Sequence, residues 1–274
     1  MFRRHLLLAA LAPGAAAAAD WTEHPEWAPE FAGREAPGCA LVLDEARGAF
    51  HVFDRPRAET AFSPASTFKI CNALIGLETG AVRDENEVFP WDGVRRGLPA
   101  WNRDTTLAEG MRHSTVWFYQ AMARRIGMAR MREWIARAGY GNQELGTEVD
   151  RFWLNGTLRI SAWQQVEFLR RLAAGGLPFS ERSQRIVRRI TLLEESPGLE
   201  EGPGFRLHGK TGWFSGGGAT DLGWLVGWVE REAGRWVFAV NMDLPSASLP
   251  GSIARHAPKR EAVARAVLAR LGAL

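Results

Sequence analysis

The chain has 274 residues, of which 46% are apolar and 24% charged. That balance suits a folded domain and excludes a disordered, collagenous or coiled-coil chain. Basic residues exceed acidic ones by only three, with no block of five or six like charges, so no nucleic-acid partner is expected.

Residues 1–19, MFRRHLLLAALAPGAAAAA, combine a basic start, an apolar run and small residues before Asp20. This is the pattern of an export signal cleaved after Ala19. Residues 20–274 are then expected to form one domain, exported to the periplasm, with no membrane span.

Residues 39–43 and 49–53 read as two strands joined by a turn. A helix is expected to start at Ser63-Pro64-Ala65-Ser66 and to stop at Gly80. From about 105 to 195 the pattern is helical, with apolar residues three and four apart in 114–138 and 163–173. Beyond Gly204 glycine-rich turns alternate with β-type runs, and a last helix is expected after Pro258. Strands near both ends with helices between imply an α+β fold. Its antiparallel sheet, packed as an α/β sandwich, would come from about 20–62 and 204–274, with a helical lobe of about 75–200 inserted.

Cys39 and Cys71 are compatible with one disulfide or with two separate buried thiols. The six His are scattered and no CxxC or HExxH occurs, so no metal site is expected.

Only three of the 34 basic residues are Lys: Lys69, Lys210 and Lys259. In so Arg-rich a chain, Lys points to places where a compact amine that can lose its proton is needed. Residues 204–211 fit the phosphate-loop pattern GxxxxGK[ST] letter for letter. That loop must open a helix, whereas Thr211 leads into a glycine run and a strand, so nucleotide binding is not expected.

Ser66-Thr67-Phe68-Lys69 is the stronger signal. Residues three apart share a helix face, and a buried neutral Lys can take the proton of a Ser nucleophile. Alone, SxxK would most often be a solvated surface pair. Lys210-Thr211-Gly212 lies far downstream on a strand, and Ser-x-x-Lys with Lys-Thr-Gly is the signature of penicillin-recognising serine enzymes. Ser114-Thr115-Val116 stands in the interval where that signature needs a third hydroxyl.

With Tyr140-Gly141-Asn142, Phe152-Trp153-Leu154, Arg159-Ile160-Ser161 and the run 223–230 in the same order, the chain resembles the class D β-lactamases, the oxacillinases. The likeness covers nearly all of residues 20–274. It implies the β-lactamase/transpeptidase-like fold and hydrolysis of penicillins, without a metal. Ser66 would be the nucleophile, and Lys69 would be N-carboxylated by carbon dioxide and act as general base. Ser114 would pass a proton to the leaving nitrogen. Val116, Trp117, Trp153 and Leu154 would keep the amine's pocket apolar, and Trp153 would donate its indole N–H to the carbamate. Lys210, Thr211 and Gly212 would receive the substrate carboxylate, and the amides of Ser66 and Trp213 would form the oxyanion hole. Arg260, at the start of the last helix, would clamp the carboxylate, with Arg255 as the rival. Trp101 would border the substrate, while Tyr140 and Asn142 would be structural. The expected molecule is a monomer or homodimer. A penicillin sensor that is acylated without turnover is the alternative, and a D,D-peptidase of the cell wall the third; sensors of that kind usually carry a transmembrane region, which this sequence does not show.

Overall fold

The computed structural model describes residues 20–32, 37–198, 204–249 and 251–274; the export signal expected over 1–19 lies outside the described residues. Strand β1 (Asp20–Glu23), helix α1 (Ala28–Ala32), β2 (Gly38–Asp44), β3 (Ala49–Phe53) and α2 (Arg55–Glu59) lead to α3 (Lys69–Glu78). A short ribbon, β4 (Val88–Phe89) with β5 (Thr105–Thr106), precedes α4 (Leu107–Arg112), α5 (Val116–Ile126), α6 (Met128–Ala138), α7 (Ala162–Ala173) and α8 (Glu181–Ile190). The chain closes with β6 (Leu192–Ser196), β7 (Phe205–Phe214), β8 (Thr220–Arg231), β9 (Gly234–Pro245) and α9 (Ser252–Arg270).

The main sheet runs β1-β3-β2-β9-β8-β7-β6. It is antiparallel throughout except where β1 lies parallel to β3. Alternate residues of a strand face opposite sides, and the core divides accordingly. Leu41 and Leu43 face the helical lobe, while Ala40 and Val42 face the layer that holds α1 and α9. The fold is therefore α+β, with strands from both ends of the chain joined at the β2–β9 seam, where Gly38 pairs with Met242 and Asp44 with Trp236.

Four expectations need correction. The helical reading of 105–195 fails over 140–161, which is mostly irregular. There Gly141, Gly146 and Gly156 take positive φ of 57°, 61° and 83°, and a Cβ on Gly141 would stand 2.3 Å from the Arg159 carbonyl, so the chain folds back on itself where a helix cannot continue. The run 114–138 is two helices, parted at Gly127 with φ 79°. Strands resume at β6, before Gly204; Leu192 and Leu193 are exposed, so its side chains carry no core periodicity. Finally, α9 begins at Ser252 and holds Pro258 inside it, so Arg260 lies within the helix rather than at its start. A proline at that point removes the donor to the carbonyl four residues back and crowds that carbonyl, and the helix continues past it.

Cys39 and Cys71 are both free and buried, Cys39 in β2 and Cys71 in α3. Among the described residues no helix is long and apolar enough to cross a membrane, and no group of three or more His, Cys, Asp or Glu could hold a metal ion.

Candidate active site

The Ser66 motif begins in a 3-10 turn, Ala65–Phe68, which runs straight into α3. Two hydrogen bonds fix that turn: Thr67 Oγ1 donates to the Pro64 carbonyl at 2.8 Å and accepts from Gln165 Nε2 at 2.7 Å. Lys69 is the first residue of α3, one turn past Ser66, and its side chain is fully buried. Its Nζ donates to Ser66 Oγ at 2.9 Å, to Ser114 Oγ at 2.9 Å and to the Ser114 carbonyl at 2.7 Å. Ser114 reaches inward from the link between α4 and α5, with φ 54°, and Ala65 has φ 46°. Left-handed backbone at two non-glycine residues costs on the order of 1 kcal/mol or more each. Ser114 meets the Lys69 amine and Ala65 directly precedes Ser66, where the surrounding packing holds them.

The walls around Lys69 are aromatic. Its Nζ lies 5.5 Å from the centroid of the Tyr119 ring. Phe68 packs on Trp153 at 5.4 Å and on Phe152 at 5.1 Å between centroids. Burial, reinforced by the charge of Lys210, holds the Lys69 amine well below the usual lysine range. Trp153 is fully buried and its Nε1 has no hydrogen-bond partner. A buried N–H left unpaired is costly, so this donor has capacity for an acceptor not supplied by the chain.

The second half of the site is β7. Lys210 is buried, and its Nζ donates to the Thr211 carbonyl at 2.9 Å and to Thr211 Oγ1 at 3.4 Å. Burial first, then Arg260, lowers it to about 7. Gly212 is what lets β7 lie against the Ser66 turn: a Cβ there would stand 2.9 Å from the Pro64 carbonyl and 3.1 Å from Thr67 Cγ2. The indole of Trp224, on β8, donates to the Ser63 carbonyl at 2.9 Å, and Ser63 Oγ donates to the Trp153 carbonyl at 3.2 Å. The sheet is thereby tied to the Ser66 turn and to Trp153.

Arg260 projects from α9 to this edge. It is 8% exposed, its Nη1 donates to the Gly212 carbonyl at 2.8 Å, and its guanidinium lies 5.6 Å from the Trp213 ring centroid. Burial lowers it to about 10. Arg255, on the same helix, is exposed. Trp101 donates to the His113 carbonyl at 2.9 Å, beside Ser114, and Trp117 Nε1 donates to the Trp101 carbonyl at 2.7 Å. Val116 and Leu154 are half-buried and contribute apolar surface only. The phosphate-loop lookalike 204–211 lies within or beside β7 and opens no helix. Asn142 serves the backbone, accepting from Glu144 N and Arg159 N and donating to the Thr157 carbonyl.

Sequence reasoning passed over Ser63, Tyr119, Gln165 and Asp221. Ser63 was visible only as a helix-start residue, and Tyr119 and Gln165 only as members of helical patterns. Asp221 offered no signal beyond one carboxylate after a glycine run.

The family model for the penicillin binding protein transpeptidase domain matches residues 38–269. β-Lactamase OXA-48 of Klebsiella pneumoniae is 40% identical over 260 residues, 94% of this chain and 96% of its own. β-Lactamase OXA-2 of Salmonella typhimurium is 39% identical over 254 residues, 92% and 86% of the two chains. Among solved structures, the class D β-lactamase FUS-1 (OXA-85) of Fusobacterium nucleatum subsp. polymorphum matches with a TM-score of 0.85 at 35% identity, covering 92% of this chain and 100% of that one. The class D β-lactamase YbXI from Nostoc gives 0.83 at 39% identity, covering 90% and 99%. At this identity and coverage, the chain belongs to the class D β-lactamases.

Proposed function

We propose that this chain hydrolyses the β-lactam amide of penicillins through an acyl-enzyme on Ser66, with Lys69 N-carboxylated as the general base. The observation that carries the reading is the placing of one buried, deprotonation-prone amine between two hydroxyls, Ser66 Oγ and Ser114 Oγ.

Carboxylation needs a neutral amine and a pocket that stabilises the new carboxylate. The depressed Lys69 supports the first, and the buried, unpaired Trp153 N–H is the donor assigned to the second. When bound, the carboxyl group supplies a carboxylate base beside the nucleophile, a far better proton acceptor than an ammonium.

Ser66 Oγ adds to the β-lactam carbonyl carbon as its proton is removed. The carbon–nitrogen bond of the ring then breaks, and the nitrogen takes a proton delivered through Ser114. Water next attacks the Ser66 ester, freeing the opened product and restoring the hydroxyl. Oxyanion stabilisation falls to the amides of Ser66 and Trp213. Gly209 N donates to the Thr191 carbonyl on the β6 side, and amides two residues apart on a strand share an edge. The Trp213 N–H therefore points to the edge that β6, ending its pairing at His208, leaves open. Losing one such donor costs about 3 kcal/mol in the transition state. Lys210, Thr211 and Arg260 supply positive charge and a hydroxyl for the substrate carboxylate.

Export to the periplasm through residues 1–19, and resistance to β-lactams in a bacterium carrying the chain, belong to the same proposal. Steady-state hydrolysis of a penicillin by residues 20–274, with and without bicarbonate, tests it. Sustained turnover that rises with bicarbonate is the expected result. One equivalent of product followed by silence would mean a penicillin sensor.

A further inference from the structure

Behind the substrate edge lies a carboxylate with no role so far. Asp221, the second residue of β8, is only 2% exposed and forms no salt bridge among the described residues. A buried charge of this kind is costly unless hydrogen bonds replace its water. Three donors do so: Trp213 Nε1 at 2.6 Å and Ala247 N at 2.7 Å, both to Oδ2, and Ser215 Oγ at 2.8 Å to Oδ1.

The register explains the geometry. Trp213 pairs with Gly223 across β7 and β8, so Asp221, two residues from Gly223, is its diagonal neighbour on one face. Gly223 makes room there for Leu244 and the Arg260 stem: a Cβ would stand 2.5 Å from Leu244 Cδ1 and 3.7 Å from Arg260 Cδ. The indole has its N–H on Asp221 and its ring 5.6 Å from the Arg260 guanidinium. Ala247 lies in the link from β9 to α9, so the same carboxylate also anchors the approach to the helix that carries Arg260.

We propose that Asp221 is a positioning residue for substrate binding: it fixes the Trp213 indole, and through that ring it seats Arg260 at Gly212, where the substrate carboxylate is received. This rests on the proposed penicillin hydrolysis. The backbone of Trp213 is held by the β7–β8 ladder and does not depend on the indole. Asp221 should therefore affect recognition of the carboxylate and leave the oxyanion amide alone.

Kinetics of the full chain with a penicillin test this. For Asp221→Ala, KM should rise about ten-fold, the loss expected on removing a charge-assisted hydrogen bond, while kcat stays within about two-fold. Asp221→Asn keeps an acceptor for the indole and should restore most of the lost affinity. Trp213→Phe removes the N–H and shortens the ring, and combining it with Asp221→Ala should give much less than the product of the two effects. An unchanged KM, a fall in kcat at constant KM, or independent effects in the double variant would overturn the proposal. If Asp221→Ala does not fold, the indole N–H resonance of Trp213, assigned with Trp213→Phe, decides. It should be the indole signal most displaced by Asp221→Asn, and an unmoved signal refutes the contact. Absence of wild-type turnover would instead count against the hydrolase reading, and the resonance would still report on Asp221.

Discussion

Lys210 stands close enough to Lys69 for its charge, added to complete burial, to disfavour protonation of the Lys69 amine. Arg260 acts on Lys210 in the same sense. Three basic groups are thus coupled from the sheet edge to Ser66, and burial favours the neutral form of each. Only a lysine reaches it, because a guanidinium keeps its proton.

Lys210 gives the first prediction, on stability against pH. Its folded value of about 7 lies below that of the unfolded chain. Between those values the unfolded chain binds the extra proton, so stability attributable to this group rises with pH through the window. Below pH 7 both states are protonated and the burial penalty is complete. Lys210→Met should therefore be more stable than the wild type at pH 6, and the gap should close towards pH 10. Parallel denaturant titrations measure it; a gap constant with pH would refute the assignment.

Lys69→Ala should be acylated slowly by a penicillin and then stall, so that a stable adduct is seen by mass spectrometry. Ser66→Ala should give no adduct. Unchanged turnover in the Lys69 variant would eliminate the general-base role.

Trp153→Phe should keep an aromatic ring against Phe68 and Phe152, remove the unpaired N–H and leave a small cavity. Its thermal midpoint should fall modestly, through lost packing rather than a broken hydrogen bond. The bicarbonate concentration for half-maximal turnover should rise about ten-fold, the cost of one charge-assisted hydrogen bond. An unaltered bicarbonate dependence would show that the indole does not serve the carboxylate.

The two cysteines should be silent. Burial pushes Cys39 up to about 12 and Cys71 higher still, and a thiol reacts as its thiolate. A thiol reagent at pH 8 should label neither in the native protein and both after unfolding, without prior reduction.

The candidate site was more legible than the chain path. Ser66, Lys69 and Lys210 stand out in the sequence by residue type and spacing, and the structure brings Ser66 and Ser114 onto the Lys69 amine. Strands β2 and β3 were legible because apolar residues fill them. The strand β1, sequence DWTE, was not, since it lies at an edge and is largely exposed. The strand β6 hid behind α8 for the same reason, and Pro258 concealed the first turns of α9. The left-handed backbone at Ala65 and Ser114 had no signature, since neither residue type favours it. Asp221 was invisible for another reason: its meaning depends on the β7–β8 register, which only the folded sheet defines.

The seam between β2 and β9 has a consequence for how the protein comes into being. Residues 38–44 pair locally with β3 along one edge, but along the other their partners are residues 236–242, so nearly the whole chain must exist before the middle of the sheet can close. Closing so long a loop carries an entropic cost that local helices do not bear, and topologies of this kind acquire their native state slowly. The helices between can form early, but Ser66 and Lys210 meet only when the two ends of the chain do. Partly made chains should therefore be inactive, and exposed to aggregation and proteolysis until the last strands arrive.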